Sequence, residues 1–335
     1  MGTQSPRASS SALLRRVLRL VGPALLAVVV WRVGPSRLLE ALTNTDWRTL
    51  LWVSSLNVLV LHLKVVRWRD LLRQRGYHYA LGRAYVAVLT SVYLGMVTPG
   101  RIGDVLRVQY ARREAGVPYS DGLAVTVMDR FCDMYVLAGF AAVGAAHFAS
   151  AIHGGLAQAM VVSIGLAVAG PLVFLIPGVA EAALGRVYRR FEARLGAGGL
   201  DRFLACLRGL LTPRIAYGLA LTVGAYLLIY VQGYYIGIAI DAPIGFIDSS
   251  SVLSITSLLG LLPISISGLG VRELFLAVTF PVLGHPANQG VLFGLLVFVL
   301  TYMTYVLAGF IAWQISPPPL EGKAERADPY TAVRK

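Results

Sequence analysis

The sequence is poor in the residues that build disulfides and metal sites. Its 335 residues include only two cysteines, Cys132 in an apolar run and Cys206 in a basic segment. This excludes a disulfide framework and a cysteine-based zinc site. The five histidines are scattered, and no HExxH motif places two of them on one helical face. We therefore expect neither a metal nor a cofactor.

Charged residues are also scarce, and acidic residues are outnumbered. Only 14% of the chain is charged, with 17 acidic against 30 basic residues, whereas 56% is hydrophobic and the mean hydropathy is +0.67. This composition is typical of an integral membrane protein. The net charge of +13 does not indicate a nucleic-acid partner, because the arginines lie in connectors between apolar runs, as the positive-inside rule expects.

Sequence signatures of nucleotide binding and covalent catalysis are missing. The glycines that follow Ser267 lack the third glycine and the strand–helix setting of a GxGxxG loop, and no GxSxG elbow surrounds that serine. We predict that the chain is not an enzyme. The alternative is an intramembrane enzyme that uses Asp104, Asp129 or Glu273 as a general base.

Long apolar runs are what the sequence has instead. A helix needs about 20 residues to cross the ~30 Å hydrocarbon layer of a bilayer. The runs that approach or exceed this length are 14–34, 49–66, 121–149, 155–177, 215–240 and 287–313. We therefore predict an all-α polytopic membrane protein with about six spanning helices.

Shorter apolar runs, 84–98, 250–262 and 271–283, stop next to helix breakers. The breakers are Pro99, Gly100, Gly103 and Pro263. A helix of 14 residues reaches only about 21 Å, so these runs do not cross the membrane. Such breaks persist at membrane depth only where protein or a wet cavity surrounds them. We predict two re-entrant helical hairpins, 84–118 and 250–283.

Basic connectors determine the predicted orientation. The segments expected in the cytoplasm are the N-terminal tail 1–12, the connectors 67–83 and 178–214, and the C-terminal tail 317–335. The first hairpin then enters from the cytoplasm and the second from outside. Residues 13–152 and 155–313 thus form an inverted-topology repeat, in which broken helices meet near the midplane and bind substrate. The helical spacing of apolar residues in 178–214 predicts two amphipathic helices on the cytoplasmic face.

Lys64, Arg67 and Arg69 end the second apolar run beside Trp68. This pattern is typical of a cationic and aromatic belt whose long side chains reach the membrane surface. We interpret these residues as an anchor and not as substrate contacts.

The first break is followed by charged residues that suit an anion. Arg101 lies where a returning helix begins, and exposed backbone N–H groups beside a guanidinium form a site for phosphate or carboxylate. Asp104 and Arg107 follow on nearly one face of that helix. Asp104 either takes part in substrate binding or only neutralises a neighbouring arginine.

The apolar run 121–149 contains three charges, Asp129, Arg130 and Asp133. Asp129 and Asp133 are one helical turn apart and share a face. Two hypotheses remain open. The cluster neutralises itself inside the bundle, or it provides a proton or cation site on the surplus carboxylate and an arginine for substrate phosphate.

The second break combines flexible backbone, hydroxyl groups and charge. Its candidate substrate-binding residues are Ser265, Ser267, Gly268, Gly270 and Arg272, with Glu273 as the adjacent carboxylate. Glycine permits close approach of the backbone to a ligand. We therefore expect this break to line the same binding site as the first.

These motifs resemble the lysylphosphatidylglycerol synthase transmembrane-region family, also described as a flippase-like domain, over roughly 15–313. The family pattern reads P-G-R-x-G-E…R, E-R-x-x-D and P-x-S-x-x-G-x-G-x-R-E. The matching segments are 99–107, 129–133 and 263–273. Aspartate stands at positions 104 and 129, where glutamate is usual, so the charge is kept on a shorter arm.

The resemblance implies translocation of a lipid or a lipid-linked substrate. We expect this chain to move an anionic lipid, or a sugar linked to a lipid through phosphate, between leaflets of the plasma membrane. The arginines expected to bind the phosphate are Arg101, Arg107, Arg130 and Arg272. The carboxylates expected to position them or to couple a cation are Asp104, Asp129, Asp133 and Glu273.

Some members of this family are fused to a soluble aminoacyl-phospholipid synthase or glycosyltransferase domain. Only about 20 polar residues follow the last apolar run here, so we expect this chain not to make a lipid by itself. A membrane scaffold for a separately encoded lipid-modifying transferase is a further hypothesis.

Overall fold

The computed structural model describes residues 36, 46–97, 103–150, 153–188, 198–260 and 271–317. Within these ranges every regular element is helical. The elements are α1 (Trp47–Gln74), α2 (Leu81–Val97), α3 (Leu106–Ala115), α4 (Tyr119–His147), α5 (Gly155–Leu175), α6 (Val179–Tyr188), α7 (Gly199–Gly209), α8 (Ile215–Ala239), α9 (Phe246–Leu259), α10 (Val271–Val282), α11 (Ala287–Val297), a π-helix (Phe298–Met303) and α12 (Thr304–Ile315). The prediction of an all-α polytopic membrane protein is confirmed.

Four of the described helices are long and apolar enough to cross a membrane. They are Trp47–Gln74, Ala157–Leu175, Ile215–Ala239 and the continuous helix Ala287–Ile315 formed by α11, the π-helix and α12. With 29 residues α4 has the length of a fifth span, but its middle carries three charged side chains. The predicted span 14–34 lies outside the described residues.

Helix α1 is longer than the predicted second span 49–66 and extends into the predicted connector 67–83. Helix α1 continues to Gln74 over 28 residues. It continues because Trp68, Leu71 and Leu72 are buried in a hydrophobic cluster with residues of α2, α4 and α7. The last two turns of α1 therefore pack against protein and do not form a connector.

The described helices on either side of the two predicted breaks are α2 and α3, and α9 and α10. Helix α2 ends at Val97, and a short 3-10 turn at 103–105 leads into α3. The first arm contacts the second at Gly103, where an added Cβ would overlap the backbone of Gly95. Helix α9 likewise contacts α10, which begins at Val271. The intervening residues 98–102 and 261–270 lie outside the described ranges, and the inverted repeat stays a prediction.

The predicted amphipathic helices of the 178–214 connector are present as α6 and α7. The apolar stripe of α7 packs on the protein: Leu204 and Leu207 are buried, and α7 contacts α4. This helix therefore packs against the bundle with its apolar side.

Candidate functional site

Arg67 lies at the centre of a group of charged side chains inside the bundle. Its side chain is 1% exposed. Its Nε donates to Oδ1 of Asp129 at 2.7 Å, and its Nη1 donates to Oδ1 of Asp133 at 2.8 Å. Nη1 also donates to Oγ1 of Thr222 at 2.7 Å. A single arginine of α1 thus joins α4 and α8.

Arg107 brings the first broken helix into the same group. Its Nη1 donates to Oδ2 of Asp129 at 2.9 Å and its Nη2 to Oδ1 of Asp104 at 2.9 Å. The side chain is 1% exposed, and the guanidinium carbon lies 5.9 Å from the ring centroid of Trp68. Three predicted site residues, Asp104, Arg107 and Asp129, are therefore in direct contact.

Arg130 and Lys64 are the partly exposed members of the group. Arg130 pairs with Asp104 at 3.2 Å, with Asp129 at 3.4 Å and with Asp133 at 3.3 Å. Lys64 Nζ lies 4.0 Å from Asp133 and 5.1 Å from the ring centroid of Tyr226. Their side chains are 33% and 28% exposed, unlike those of Arg67 and Arg107. Arg130 and Lys64 are therefore the more accessible cations of the group.

We name this group the buried ion network. Its described members are Lys64, Arg67, Asp104, Arg107, Asp129, Arg130 and Asp133. Four cations against three carboxylates give these members a net charge of +1. The network residues of α4 by themselves include one more carboxylate than cations. The side chains that α1 and α3 contribute make the net charge of the whole network positive. A surplus cation in a low-dielectric interior favours an anionic ligand.

The network lies well inside the ends of its helices. Arg67 is seven residues before the end of α1, and Thr222 is seven residues after the start of α8. At 1.5 Å per residue both are about 10 Å inward. Asp129 is ten residues after the start of α4, or about 15 Å inward. The network therefore lies inside the bundle, where buried charges are costly without partners.

The second break approaches the first through an aromatic side chain. The guanidinium carbon of Arg272, at the start of α10, lies 5.2 Å from the ring centroid of Phe298 in the π-helix. Phe298 is buried in a cluster that also contains Tyr93 and Leu94 of α2. One ring thus connects the predicted arginine of the second break with the helix that enters the first.

Several predicted site residues lie outside the described residues. They are Pro99, Gly100, Arg101, Pro263, Ser265, Ser267, Gly268 and Gly270. Glu273 lies in the first turn of α10. Their assignment to a shared site remains a prediction.

The anchor interpretation of Arg67 is wrong, because this side chain points into the protein. Lys64 is also part of the network, and neither residue was predicted as a site residue. A periodic signal existed: the buried stripe of α1 at Leu50, Val53, Asn57 and Val60 recurs every three or four residues. Extending that stripe by seven residues from Val60 reaches Arg67, which therefore faces the core.

A second polar cluster supports the π-helix. Asn57 donates from Nδ2 to the Leu300 carbonyl at 2.7 Å, and the Tyr305 hydroxyl donates to the Asn57 carbonyl at 3.1 Å. Gln232 donates from Nε2 to Oδ1 of Asn57 and to the Val53 carbonyl, both at 2.9 Å. Side chains of α1 and α8 thus pair backbone and amide groups that lipid could not satisfy.

The carboxylates of the network are committed to arginine partners. Among the described residues, no group of three or more His, Cys, Asp or Glu side chains is arranged to hold a metal ion. The three network carboxylates are all paired with arginine. The fold and the network together define a polytopic α-helical membrane protein with an ion network joined to a broken helix.

Comparison with known proteins identifies the family of the chain. The family model described as the lysylphosphatidylglycerol synthase TM region matches residues 17–309, and the chain belongs to this family. It is similar to glycosyltransferase AglD of Haloferax volcanii, with 26% identity over 311 residues, 80% of this chain and 50% of AglD. The chain thus spans about half the length of that relative.

Two relatives are matched over most of their length. A UPF0104 membrane protein of Methanothermobacter thermautotrophicus is 21% identical over 284 residues, 78% of this chain and 81% of its own. A UPF0104 membrane protein of Methanocaldococcus jannaschii is 18% identical over 324 residues, which is 92% of this chain and 96% of that relative. No solved structure matches the chain.

Proposed function

We propose that this protein moves an anionic lipid, or a sugar linked to a lipid through phosphate, between the leaflets of a membrane. The observation that carries the proposal is the excess positive charge of the buried ion network. Arg67 and Arg107 are fully covered and hold the carboxylates in place, so they maintain the site. Arg130 and Lys64 are partly exposed and present the surplus charge to a phosphate.

The helix interruptions support movement of a headgroup through the bundle. The returning arm of the first interruption supplies Arg107 to the network. The arm after the second interruption begins beside Phe298, which packs with the helix that enters the first. We propose that the two hairpins enter from opposite faces and open the site alternately, as in transporters built from inverted repeats.

The proposed orientation places the basic ends of α1 and α8 in the cytoplasm, with both chain termini on that side and the protein in the plasma membrane. Arg69, Arg73 and Arg214 cluster at these helix ends. The positive-inside rule supports this assignment.

Leaflet exchange by the purified protein in liposomes tests the proposal. A reporter phosphatidylglycerol would be placed in both leaflets, and the outer pool removed by a membrane-impermeant reagent. Protein-containing liposomes should lose both pools, whereas protein-free liposomes keep the inner one. Phosphatidylcholine and a polyprenyl-phosphate sugar, tested in parallel, would define the headgroup. Exchange no faster than in protein-free liposomes, for every anionic lipid tested, would overturn the proposal.

The similarity to a glycosyltransferase favours a second candidate, a membrane partner for a transferase that acts on a lipid-linked sugar. That similarity covers half of the relative, so its printed activity does not transfer to this chain. The exchange assay separates these two candidates, because a membrane partner that does not transport would leave exchange at the rate of protein-free liposomes. Mass spectrometry of lipids in the same liposomes separates a transporter from an intramembrane enzyme. An intramembrane enzyme would change the headgroup without another protein, whereas a transporter would return it unchanged.

A further inference from the structure

A second basic site lies apart from the buried ion network. A cavity of about 190 Å³ is formed between the last turns of α1 and the first turn of α8. It is lined by Val66, Arg69, Asp70, Arg73, Arg214 and Tyr217. None of these residues belongs to the network, so the cavity is a separate candidate site.

Helix geometry explains why these side chains converge. The four α1 residues occupy positions i, i+3, i+4 and i+7, which share one face of a helix. Arg214 is the N-cap residue of α8, and Tyr217 follows within its first turn. The N-terminal end of a helix carries partial positive charge, so α8 adds to the potential of the arginines.

The cavity has a strong excess of positive charge. Three arginines face one carboxylate, which gives the lining a net charge of +2. Arg214 donates from Nη2 to Oδ1 of Asp70 at 2.6 Å, and Arg69 donates from Nε to the Tyr79 carbonyl at 2.7 Å. These bonds hold two guanidinium groups in place. The Arg73 side chain is exposed and makes no hydrogen bond or ion pair with any described residue.

We propose that this cavity binds a phosphoryl group, carried by an anionic lipid headgroup at the membrane surface or free in solution. Guanidinium groups match phosphate oxygens in geometry and charge. Tyr217 gives the rim an amphipathic side chain of the kind that membrane–water interfaces favour. Arg73 lies six residues beyond Arg67 on α1, about 9 Å further toward the helix end. Binding here does not depend on transport.

Protection of a cysteine inside the cavity tests this site directly. The full chain with Tyr217→Cys would be placed in phosphatidylcholine nanodiscs and treated with a membrane-impermeant maleimide. Phosphatidylglycerol in the nanodisc, or inorganic phosphate in the buffer, serves as the probe. Occupancy should slow modification of the thiol several-fold. Slowing by the lipid alone identifies a headgroup site, and slowing by both probes identifies a general phosphoryl site.

A matched thiol separates binding from the general effect of a charged surface. Leu211→Cys is suitable, because Leu211 and Tyr217 are both 48% exposed at the same end of the bundle. Its modification should not respond to either probe. Adding Arg73→Gln should weaken protection of the Tyr217→Cys thiol roughly tenfold in probe concentration, the loss expected for one charged hydrogen bond. Adding Arg202→Gln, on the exposed surface of α7, should leave the protection unchanged.

Three results would overturn the proposal. They are equal slowing at both thiols, protection that persists with Arg73→Gln, and no protection by either probe. Because the Arg73 side chain has no partner among the described residues, its replacement should leave the fold intact. Arg73→Lys keeps the charge and should restore part of the protection.

Discussion

Arg67 and Arg130 show two different uses of arginine inside the helical bundle. Arg67 is covered and bonds to two carboxylates and a hydroxyl, so its donors are committed to the protein. Arg130 touches three carboxylates but keeps a third of its side chain accessible. The covered arginine should therefore control stability, and the accessible one should control ligand binding.

Replacing Arg67 by methionine should destabilise the protein strongly. The change removes the covered guanidinium that bonds to both Asp129 and Asp133. Breaking a buried ion pair on one side costs about 3–5 kcal/mol. Thermal unfolding in detergent would show a large fall in Tm. Arg48→Met, at the exposed start of the same helix, should leave the Tm nearly unchanged. An Arg67→Met protein as stable as the wild type would contradict the assigned role.

The Cys206 thiol should be unreactive in the folded protein. Burial raises its pKa to about 11, and the nearby Asp121 carboxylate acts in the same direction. The thiolate is the reactive species, so little of it forms at pH 8. In the denatured chain the thiol regains an ordinary pKa near ~8.5. Maleimide should modify it rapidly only after denaturation in detergent, and fast labelling of the native protein would be inconsistent with this burial.

At the level of helices, close packing depends on particular glycines. Gly309 places α12 against α2, where an added Cβ would overlap the Leu89 carbonyl and crowd the Tyr93 side chain. Helices α2 and α12 thus approach more closely than larger side chains allow, as is common in membrane bundles. This contact fixes the helix that enters the first break.

Gly309→Val should separate α2 from α12 and lower the stability. Overpacking of this kind costs about 1–3 kcal/mol. The matched control is Gly139→Val on α4, where an added Cβ would meet no atom within 4 Å. A comparison of thermal unfolding should show a lower Tm for Gly309→Val. Equal values for the two variants would argue against the close contact.

At the level of the whole molecule, the sequence predicts most of the described helices, while the two breaks stay predictions. Span length and helix breakers are local properties, and α2, α5, α8 and α9 lie close to their predicted ranges. The end of α1 was missed, because arginines beside tryptophan also mark a membrane surface. Only packing against α2, α4 and α7 shows that this end is buried.

The candidate site was predicted in part. Local spacing placed Asp104 with Arg107 and grouped Asp129, Arg130 and Asp133. The contact of Arg67 with Asp129 joins residues 62 positions apart in sequence. Periodicity tells which face of a helix a residue occupies, but not which helix that face meets. For this reason the sign of the network charge emerges only from the assembled bundle.

Leaflet exchange by Arg130→Gln tests the central claim most directly. The change lowers the described network charge from +1 to zero, while Arg67 and Arg107 still hold the carboxylates. Reporter phosphatidylglycerol exchange in liposomes should fall at least about tenfold, with Tm unchanged, because a charged contact to phosphate is lost. The Arg202→Gln protein should exchange reporter phosphatidylglycerol at the wild-type rate. Wild-type exchange by folded Arg130→Gln would contradict the account.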